Sequence, residues 1–152
     1  QNAKKFKRAT AFKIYLTNPS LRSALFAPLK KDDDFIGNMV ETAIFSQWSH
    51  NTNFTPYYAR WKNGEVDIVR LTEEKQKPLW AVEIKWSNRF VKSLQKLRNL
   101  KSFCLKNNLD RTLITTLDIE EIKDDDGIIY DFTPCSIYCY TVGRNAIDRK
   151  GE

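Results

Sequence analysis

The sequence predicts a mixed α/β domain in which helices flank a central β-sheet. Apolar and polar residues alternate in several short segments, as they do in strands that bury one face. Two longer segments instead carry apolar residues at helical spacing. The 152-residue chain is 41% hydrophobic, which suffices for one core, and no repeat or low-complexity linker divides it. We therefore expect a single domain over residues 1–152, in the order strand, two helices, three strands, long helix and two strands.

The first third of the chain predicts one strand followed by two helices. Residues 11–17, "AFKIYLT", alternate like a strand, and the next segment opens with Asn18 as an N-cap and Pro19 at the first helical position. A second helix is predicted over residues 35–48, with Asp34 as its cap. Its apolar stripe is formed by Ile36, Val40, Ala43, Ile44 and Trp48.

Three strands are predicted in the middle of the chain. The first covers residues 55–61 and is joined by a turn at Gly64 to the second, residues 65–71. The third is "WAVEIKW", residues 80–86, which alternates large apolar residues with Ala81, Glu83 and Lys85. The short charged loop between the second and third strands favours their antiparallel pairing.

The last third predicts a long helix and two further strands. Residues 88–108 carry apolar residues on one side and form the longest predicted helix. A strand is expected at residues 111–117, then an acidic loop with a turn at Asp126-Gly127. The last strand is predicted at residues 136–142, where "SIYCYTV" alternates.

Composition excludes several classes of site. Cys104, Cys135 and Cys139 are too few and too scattered for a disulfide framework, which predicts buried thiols in a reducing cytoplasm. His50 is the single histidine and lies in a polar turn, so neither structural zinc nor histidine-based nucleophilic catalysis is favoured. No glycine-rich phosphate loop, signal peptide or membrane-spanning run is visible, and we expect no membrane partner.

The positive charge is unevenly distributed. The net charge is +6, and residues 1–31 hold eight Lys or Arg and no acid. Residues 60–106 hold 12 basic and five acidic side chains. Such basic stretches favour a polyanionic partner, because Lys and Arg neutralise phosphates and release counterions. A surface of mixed charge with no such partner is the plainer alternative.

A cluster of charged residues is expected where two predicted strands pair. Asp67, expected on one face with Glu65 and Val69, would lie beside Glu83, and Lys85 shares the face of Glu83. Neighbouring carboxylates repel, and a bound Mg²⁺ ion removes that cost. The Lys85 ammonium would then stabilise charge on a phosphodiester. Glu41, at the edge of the helical stripe beside Trp48, is expected to reach the same point as an outer ligand or as a group that orients the water, although each of these groups alone is by default an ordinary surface residue.

The order of these residues resembles the restriction-endonuclease-like nucleases, the PD-(D/E)XK superfamily. The motif stands as Glu41 on a helix, Asp67 in "GEVDIV" and Glu83-Ile84-Lys85 in "VEIKWS", followed by a helix. The resemblance implies a mixed sheet flanked by helices and hydrolysis of DNA or RNA with Mg²⁺ or Mn²⁺. It implies that Asp67 and Glu83 bind the metal, that Ile84 contributes its backbone carbonyl, and that Lys85 is the catalytic lysine.

Two further positions bear on the same resemblance. Gln95, on the following helix, matches a polar position that some members use near the site. Val66 stands before Asp67, where the residue that names the motif is a proline. Lys92 and Lys96 follow the motif strand and are our candidates for phosphate contacts, with a solvated helix face as the alternative.

The chain is also similar to a narrower family, the C-terminal domain of many prokaryotic ATPases of the AAA class. The segments "KIYLTNPSLRSAL", "FIGNMVETAIF", "NGEVDIV" and "AVEIKWS" stand in the order of that family. The similarity implies an ATPase domain earlier in the same full-length chain. Gln1 and the basic leader at residues 1–13 would then be the cut edge of that linkage.

The combined prediction is Mg²⁺-dependent phosphodiester hydrolysis of DNA, by an endo- or exonuclease. The alternative is a catalytically silent nuclease-like scaffold that binds nucleic acid or a partner protein, since a fold does not determine a function. A plain structural domain is the third possibility.

Overall fold

A single mixed sheet with helices on both faces makes up the described part of the chain, which confirms the predicted class. The computed structural model describes residues 13–26, 28, 30, 33, 35–50 and 55–148. The six strands within these ranges are β1 (Tyr57–Trp61), β2 (Gly64–Leu71), β3 (Pro78–Glu83), β4 (Arg111–Thr116), β5 (Glu121–Asp125) and β6 (Ile128–Pro134). The helices are α1 (Ser20–Leu25), α2 (Ile36–Trp48), α3 (Arg89–Lys92), α4 (Arg98–Asn107) and α5 (Cys135–Asp148), and a 3₁₀ turn covers Leu94–Leu97.

The strands lie in the order β1-β2-β3-β4-β6-β5. The pairs β1–β2, β2–β3 and β5–β6 are antiparallel, and the pairs β3–β4 and β4–β6 are parallel. The predicted antiparallel pairing of β2 with β3 is therefore confirmed. Parallel β3 and β4 need a crossover connection, and α3, the 3₁₀ turn and α4 provide it.

Apolar side chains form a core on each face of the sheet. One cluster packs the sheet against α3 and α4 and includes Val66, Val69, Phe90, Leu100 and Cys104. The other packs it against α2 and α5 and consists of Ile44, Ile68, Val82, Ile84, Tyr138 and Val142. The crossover connection between the parallel strands β3 and β4 places α3 and α4 over one face, whereas α2, which precedes β1, and α5, which follows β6, cover the other.

The predicted N-terminal strand is wrong in its described part. Residues 13–17 contain no strand, and residues 11 and 12 lie outside the described residues. The polar groups of this segment turn instead toward the centre of the molecule, where Lys13 contacts Asp67 and Tyr15 contacts Glu41. Alternation therefore reflected one inward-facing side of an extended segment rather than membership of the sheet.

The two N-terminal helices have different starting signals. The Asn18 carboxamide oxygen accepts a hydrogen bond from the Ser20 backbone N–H at 2.8 Å, and α1 begins at Ser20, after Pro19. Helix α2 begins within one residue of its predicted start. The predicted cap, Asp34, lies outside the described residues, while the Asp33 carboxylate accepts a bond from the Phe35 N–H at 2.9 Å.

The long helix predicted over residues 88–108 is interrupted. Ser93 has φ −145° and ψ 89°, which ends α3, and the chain passes through the 3₁₀ turn before α4 begins. The Lys123 ammonium of β5 donates to the Val91 carbonyl oxygen at 2.6 Å, so a distant side chain satisfies a carbonyl at the break. The interruption thus coincides with a contact from a distant strand, which local periodicity does not report.

The C-terminal region differs most from the prediction. The acidic loop contains β5, which pairs with β6 across the expected turn, where Asp126 and Gly127 have φ of 53° and 75°. The predicted strand at residues 136–142 is part of α5. Its buried residues, Cys135, Tyr138, Val142 and Ala146, follow helical spacing, which the short alternating window concealed.

The cysteines occupy the positions expected of small apolar residues. Cys104 and Cys135 are buried and Cys139 is half-buried, and all three are free thiols. Within the described ranges, no helix is long and apolar enough to cross a membrane.

Candidate functional site

Strand β2 contains a bulge around Asp67, one of the predicted site residues. Two steps along β1, from Tyr57 to Ala59, are matched by three steps along β2, from Val69 to Val66. Val66 and Val69 consequently pack in the same core cluster, while Ile68 packs in the other. The predicted regular alternation along β2 was therefore wrong, because the extra residue changes which face the following side chains occupy.

Asp67 lies within this bulge and is buried, with 2% of its surface exposed. Its Oδ2 atom accepts a hydrogen bond from the Ile84 backbone N–H at 2.9 Å. The bond forms just beyond the paired residues Ile68 and Val82, so the carboxylate substitutes for a backbone partner where β2 and β3 separate. A buried carboxylate needs such partners, and these fix its direction.

Glu83 and Lys85 face the same point as Asp67. The Lys85 Nζ atom lies 2.7 Å from Glu83 Oε1 and 3.8 Å from Asp67 Oδ2. Because both carboxylates contact one nitrogen atom, they lie on the same side of the sheet. Two acids and one amine, separated in sequence by up to 18 positions, therefore meet at one place.

The backbone of Lys85 is held in place by neighbouring elements. Its N–H donates to the Thr115 hydroxyl at 2.7 Å, and the same hydroxyl donates to the Lys85 carbonyl at 3.0 Å. The Cys135 thiol also lies 3.3 Å from that carbonyl as a donor. These contacts with β4 and α5 fix the chain just beyond the end of β3, from which the Lys85 side chain extends.

Burial makes the charge of Glu83 unfavourable. Burial, followed by the charge of Asp67, raises the pKa of Glu83 from 4.5 to about 7 despite the opposing effect of Lys85. The second carboxylate oxygen, Oε2, is buried without a hydrogen-bond partner in the described structure. Burial alone would lower the pKa of Lys85, but the charges of Glu83 and Asp67 outweigh it and raise that pKa.

A second lysine, Lys13, joins the site from the N-terminal segment. Its Nζ atom lies 3.0 Å from Asp67 Oδ1, 3.4 Å from Glu65 Oε1 and 3.7 Å from Glu41 Oε2. Sequence reasoning missed this residue and assigned no role to Glu65. Local alternation places Lys13 and Tyr15 on one side of the segment, but nothing local indicates which acids they meet.

Helix α2 brings Glu41 to the site, and Tyr15 supports it. The Tyr15 hydroxyl donates to Glu41 Oε2 at 3.2 Å, and its ring stacks on Phe45 with centroids 3.9 Å apart. Burial, followed by the charge of Asp67, raises the pKa of Glu41. Burial and the charge of Glu41 likewise raise the pKa of Tyr15.

The donor set suits a hard divalent cation, although the acids are spread around the two ammonium groups. Carboxylate and carbonyl oxygens are the ligands that Mg²⁺ and Mn²⁺ prefer. The Oε2 atom of Glu83, which is buried without a hydrogen-bond partner among the described residues, is also free to act as a ligand of such a cation. In the part of the chain that the structure describes, however, no three His, Cys, Asp or Glu residues are arranged as a metal-binding group. The oxygen ligands present are thus of the kind that such an ion prefers. To bind it, the carboxylates would have to give up contacts with Lys13 and Lys85.

A cleft of about 440 Å³ opens beside these acids. It is lined by Glu41 and Gly37 of α2 and by Lys85, Trp86 and Arg89 after β3, among others. Arg89 is exposed, and its guanidinium lies 4.7 Å from the Phe90 ring. It supplies a cation at the entrance that sequence reasoning did not single out.

The predicted nucleic-acid residues lie on a neighbouring surface. Lys92, Gln95 and Lys96 are exposed, at the end of α3 and in the 3₁₀ turn. Lys92 and Gln95 line a different cleft, of about 630 Å³, together with Arg98 and Lys101. The structure therefore brings Glu41, Asp67, Glu83 and Lys85 together and leaves the predicted phosphate contacts on the adjoining helical region.

The backbone of Ile84 is placed next to the acids by the bond from its N–H to Asp67. Its side chain is buried in the core cluster beneath α2 and α5.

Comparison of the chain with family models, curated proteins and solved structures found no match.

Proposed function

We propose that this domain is a Mg²⁺- or Mn²⁺-dependent nuclease that hydrolyses phosphodiester bonds of DNA. The observation that supports the proposal is the meeting of Asp67 and Glu83 on one side of the sheet, with the ammonium group of Lys85 between them. The order of these residues and the mixed sheet support a restriction-endonuclease-like fold of the PD-(D/E)XK kind. The proposal includes an ATPase domain of the AAA class in the same full-length chain.

In this proposal, Asp67, Glu83 and the Ile84 carbonyl hold the ion, and Glu41 serves as an outer ligand. When bound, the ion supplies Lewis-acid polarisation of the phosphate and favours deprotonation of the attacking water. The Lys85 ammonium stabilises the charge that develops on the non-bridging oxygens. Arg89, at the entrance of the adjoining cleft, holds a flanking phosphate.

One observation favours a catalytically silent scaffold as the second candidate. Lys13 and Lys85 already contact the four carboxylates of the site, so the charges are partly balanced without any metal. In that case the domain binds DNA or a partner protein, and the four carboxylates stabilise the fold through their ion pairs with Lys13 and Lys85.

The first prediction tests catalysis by nicking of supercoiled plasmid DNA with Mg²⁺ or Mn²⁺. We expect the Asp67→Asn and Lys85→Met variants to lose at least about 100-fold in rate, because each removes a charge that acts on the reacting phosphate. Glu74→Gln and Lys75→Met are matched controls in the exposed β2–β3 loop, and we expect them to retain the wild-type rate.

Circular dichroism and thermal melting would establish that all four variants fold. A wild-type chain that cuts no faster than Asp67→Asn and Lys85→Met would refute the nuclease. Retained, salt-sensitive DNA binding in that case would support the scaffold instead.

A further inference from the structure

The Lys13 ammonium occupies a cation position built by three carboxylates from two other elements of the chain. Glu41 belongs to α2, and Glu65 and Asp67 belong to β2, yet all three carboxylates lie within 4 Å of Lys13 Nζ. The side chain is only 22% exposed. An ordinary surface lysine makes at most a weak, solvated pair, whereas this one is enclosed by acids.

A second contact holds the segment that carries Lys13. Two residues later, the Tyr15 hydroxyl bonds to Glu41, and the Tyr15 ring stacks on Phe45 with the planes 14° apart. The ammonium and the phenol therefore approach the same carboxylate from one segment. These two contacts with Glu41 hold the segment in place, so Lys13 differs from an ordinary surface lysine.

The two oxygens of Asp67 are divided between two cations. Oδ2 accepts the Ile84 N–H and lies 3.8 Å from the Lys85 ammonium, while Oδ1 lies 3.0 Å from the Lys13 ammonium. The oxygen that the β3 backbone leaves available to an ion is thus the one that Lys13 contacts. A divalent ion that binds Asp67 through Oδ1 and also Glu41 must displace this ammonium, because two cations cannot share the same oxygens without strong repulsion.

We propose that Lys13 is a built-in competitor of the metal ion: it holds the acids together when no ion is bound and sets the affinity with which an ion replaces it. This inference rests on the proposed metal site, but it concerns binding rather than hydrolysis. Tyr15 lies two residues from Lys13 and bonds to Glu41, so we expect ion binding to release Tyr15 from Glu41 as well. Nothing in the hydrolytic step itself requires Lys13.

The second prediction tests this competition by titrating the chain with Mn²⁺, followed by electron paramagnetic resonance. We expect Lys13→Gln to bind Mn²⁺ about tenfold more tightly than wild type, because the competing charge is lost. Lys30→Gln, at an exposed position, should leave the affinity unchanged. Without metal, Lys13→Gln should melt at a lower temperature than wild type, and added Mn²⁺ should raise its melting temperature more.

A measurement on the wild-type chain tests the same inference without relying on the folding of a variant. Reductive methylation with mass spectrometry reports the accessibility of each lysine, and Lys13 should become more reactive as Mn²⁺ is added, whereas Lys30 should not. Equal Mn²⁺ affinity in wild type and Lys13→Gln, or unchanged Lys13 reactivity on ion binding, would overturn the inference.

The outcome is separable from the test of nuclease activity. If Lys13→Gln gains Mn²⁺ affinity and Asp67→Asn abolishes it, but no variant cleaves DNA, the competitor role stands and the nuclease proposal fails. If neither wild type nor Lys13→Gln binds Mn²⁺, the competitor role is refuted.

Discussion

At the scale of single residues, folding changes the protonation of the Glu83 carboxyl group near neutral pH. Its pKa is about 7 in the folded chain against an ordinary 4.5, because the group is buried beside Asp67. The neighbouring Lys85 stays charged through this range, since its own pKa is raised. Ionising Glu83 therefore opposes folding even though the Lys85 ammonium lies beside it.

The third prediction follows from this shift. Between pH 4.5 and about 7 the unfolded chain has released the Glu83 proton while the folded chain keeps it. The unfolded state then binds fewer protons, so this group makes the free energy of unfolding decrease as the pH rises through that interval. Urea denaturation at several pH values should show a smaller decrease in Glu83→Gln than in wild type.

Glu120→Gln, at an exposed position, is the matched control and should keep the wild-type slope. Equal pH dependence in Glu83→Gln and wild type would contradict the assignment.

Sequence reasoning reached part of the site at this scale. The "GEVDIV" and "VEIKWS" segments indicated Asp67, Glu83 and Lys85, because a charged residue in an otherwise apolar strand is conspicuous. Lys13 was missed because its partner Asp67 is 54 residues away, and long-range contacts leave no local pattern.

At the scale of elements, the β1–β2 hairpin depends on a close approach at Gly64. A Cβ atom there would lie 2.6 Å and 2.9 Å from two ring atoms of Trp61 and 3.0 Å from Asn99 Cγ. The Trp61 ring in turn stacks on Phe103 of α4, with centroids 5.9 Å apart. The hairpin and α4 therefore pack together through a position that tolerates only hydrogen.

The fourth prediction compares two glycines by urea denaturation. Gly64→Ala should lower the free energy of unfolding by about 1–3 kcal/mol, because an added methyl group forces the Trp61 ring to move. Gly37→Ala is the matched control in α2, where a Cβ atom meets nothing within 4 Å. It should be neutral or raise the free energy by up to about 1 kcal/mol, since alanine favours the helix. Equal stability of Gly64→Ala and wild type would show that Trp61 repacks freely.

Periodicity predicted some elements well and others poorly for physical reasons. The stripe of α2 extends over several turns, so its helical period is distinct from that of a strand. The window at residues 136–142 is too short to separate the two periods, so its alternation predicted a strand where α5 forms. The break at Ser93 is accompanied by a hydrogen bond from Lys123, which lies on another element.

At the scale of the whole molecule, the excess of basic residues bears on DNA binding. The net charge is +6, and the cleft beside the acids has Arg89 at its edge. Lys92 and Lys96 lie on the adjoining helical region. A DNA backbone that reaches the acids would therefore pass basic side chains.

The fifth prediction concerns the salt dependence of that binding, measured by fluorescence anisotropy of labelled DNA. Affinity should fall steeply with salt, and Arg89→Gln and Lys96→Gln should each reduce the slope of log K against log salt by about one. Lys75→Gln, in the β2–β3 loop, is the control and should leave the slope unchanged. Slopes equal to wild type in Arg89→Gln and Lys96→Gln would place the phosphate contacts elsewhere.

The sequence by itself determined the mixed α/β class, the α2 helix, the antiparallel β2–β3 pair and the candidate residues Asp67, Glu83 and Lys85. These follow from local spacing and from the chemistry of charged groups in strands. Only the tertiary structure decided the bulge in β2, the break between α3 and α4, the helix α5 and the place of Lys13 among the acids. The bulge, the break and the position of Lys13 involve contacts between residues far apart in the chain, which leave no local pattern. Helix α5 was missed because a short alternating window does not separate the helical period from that of a strand.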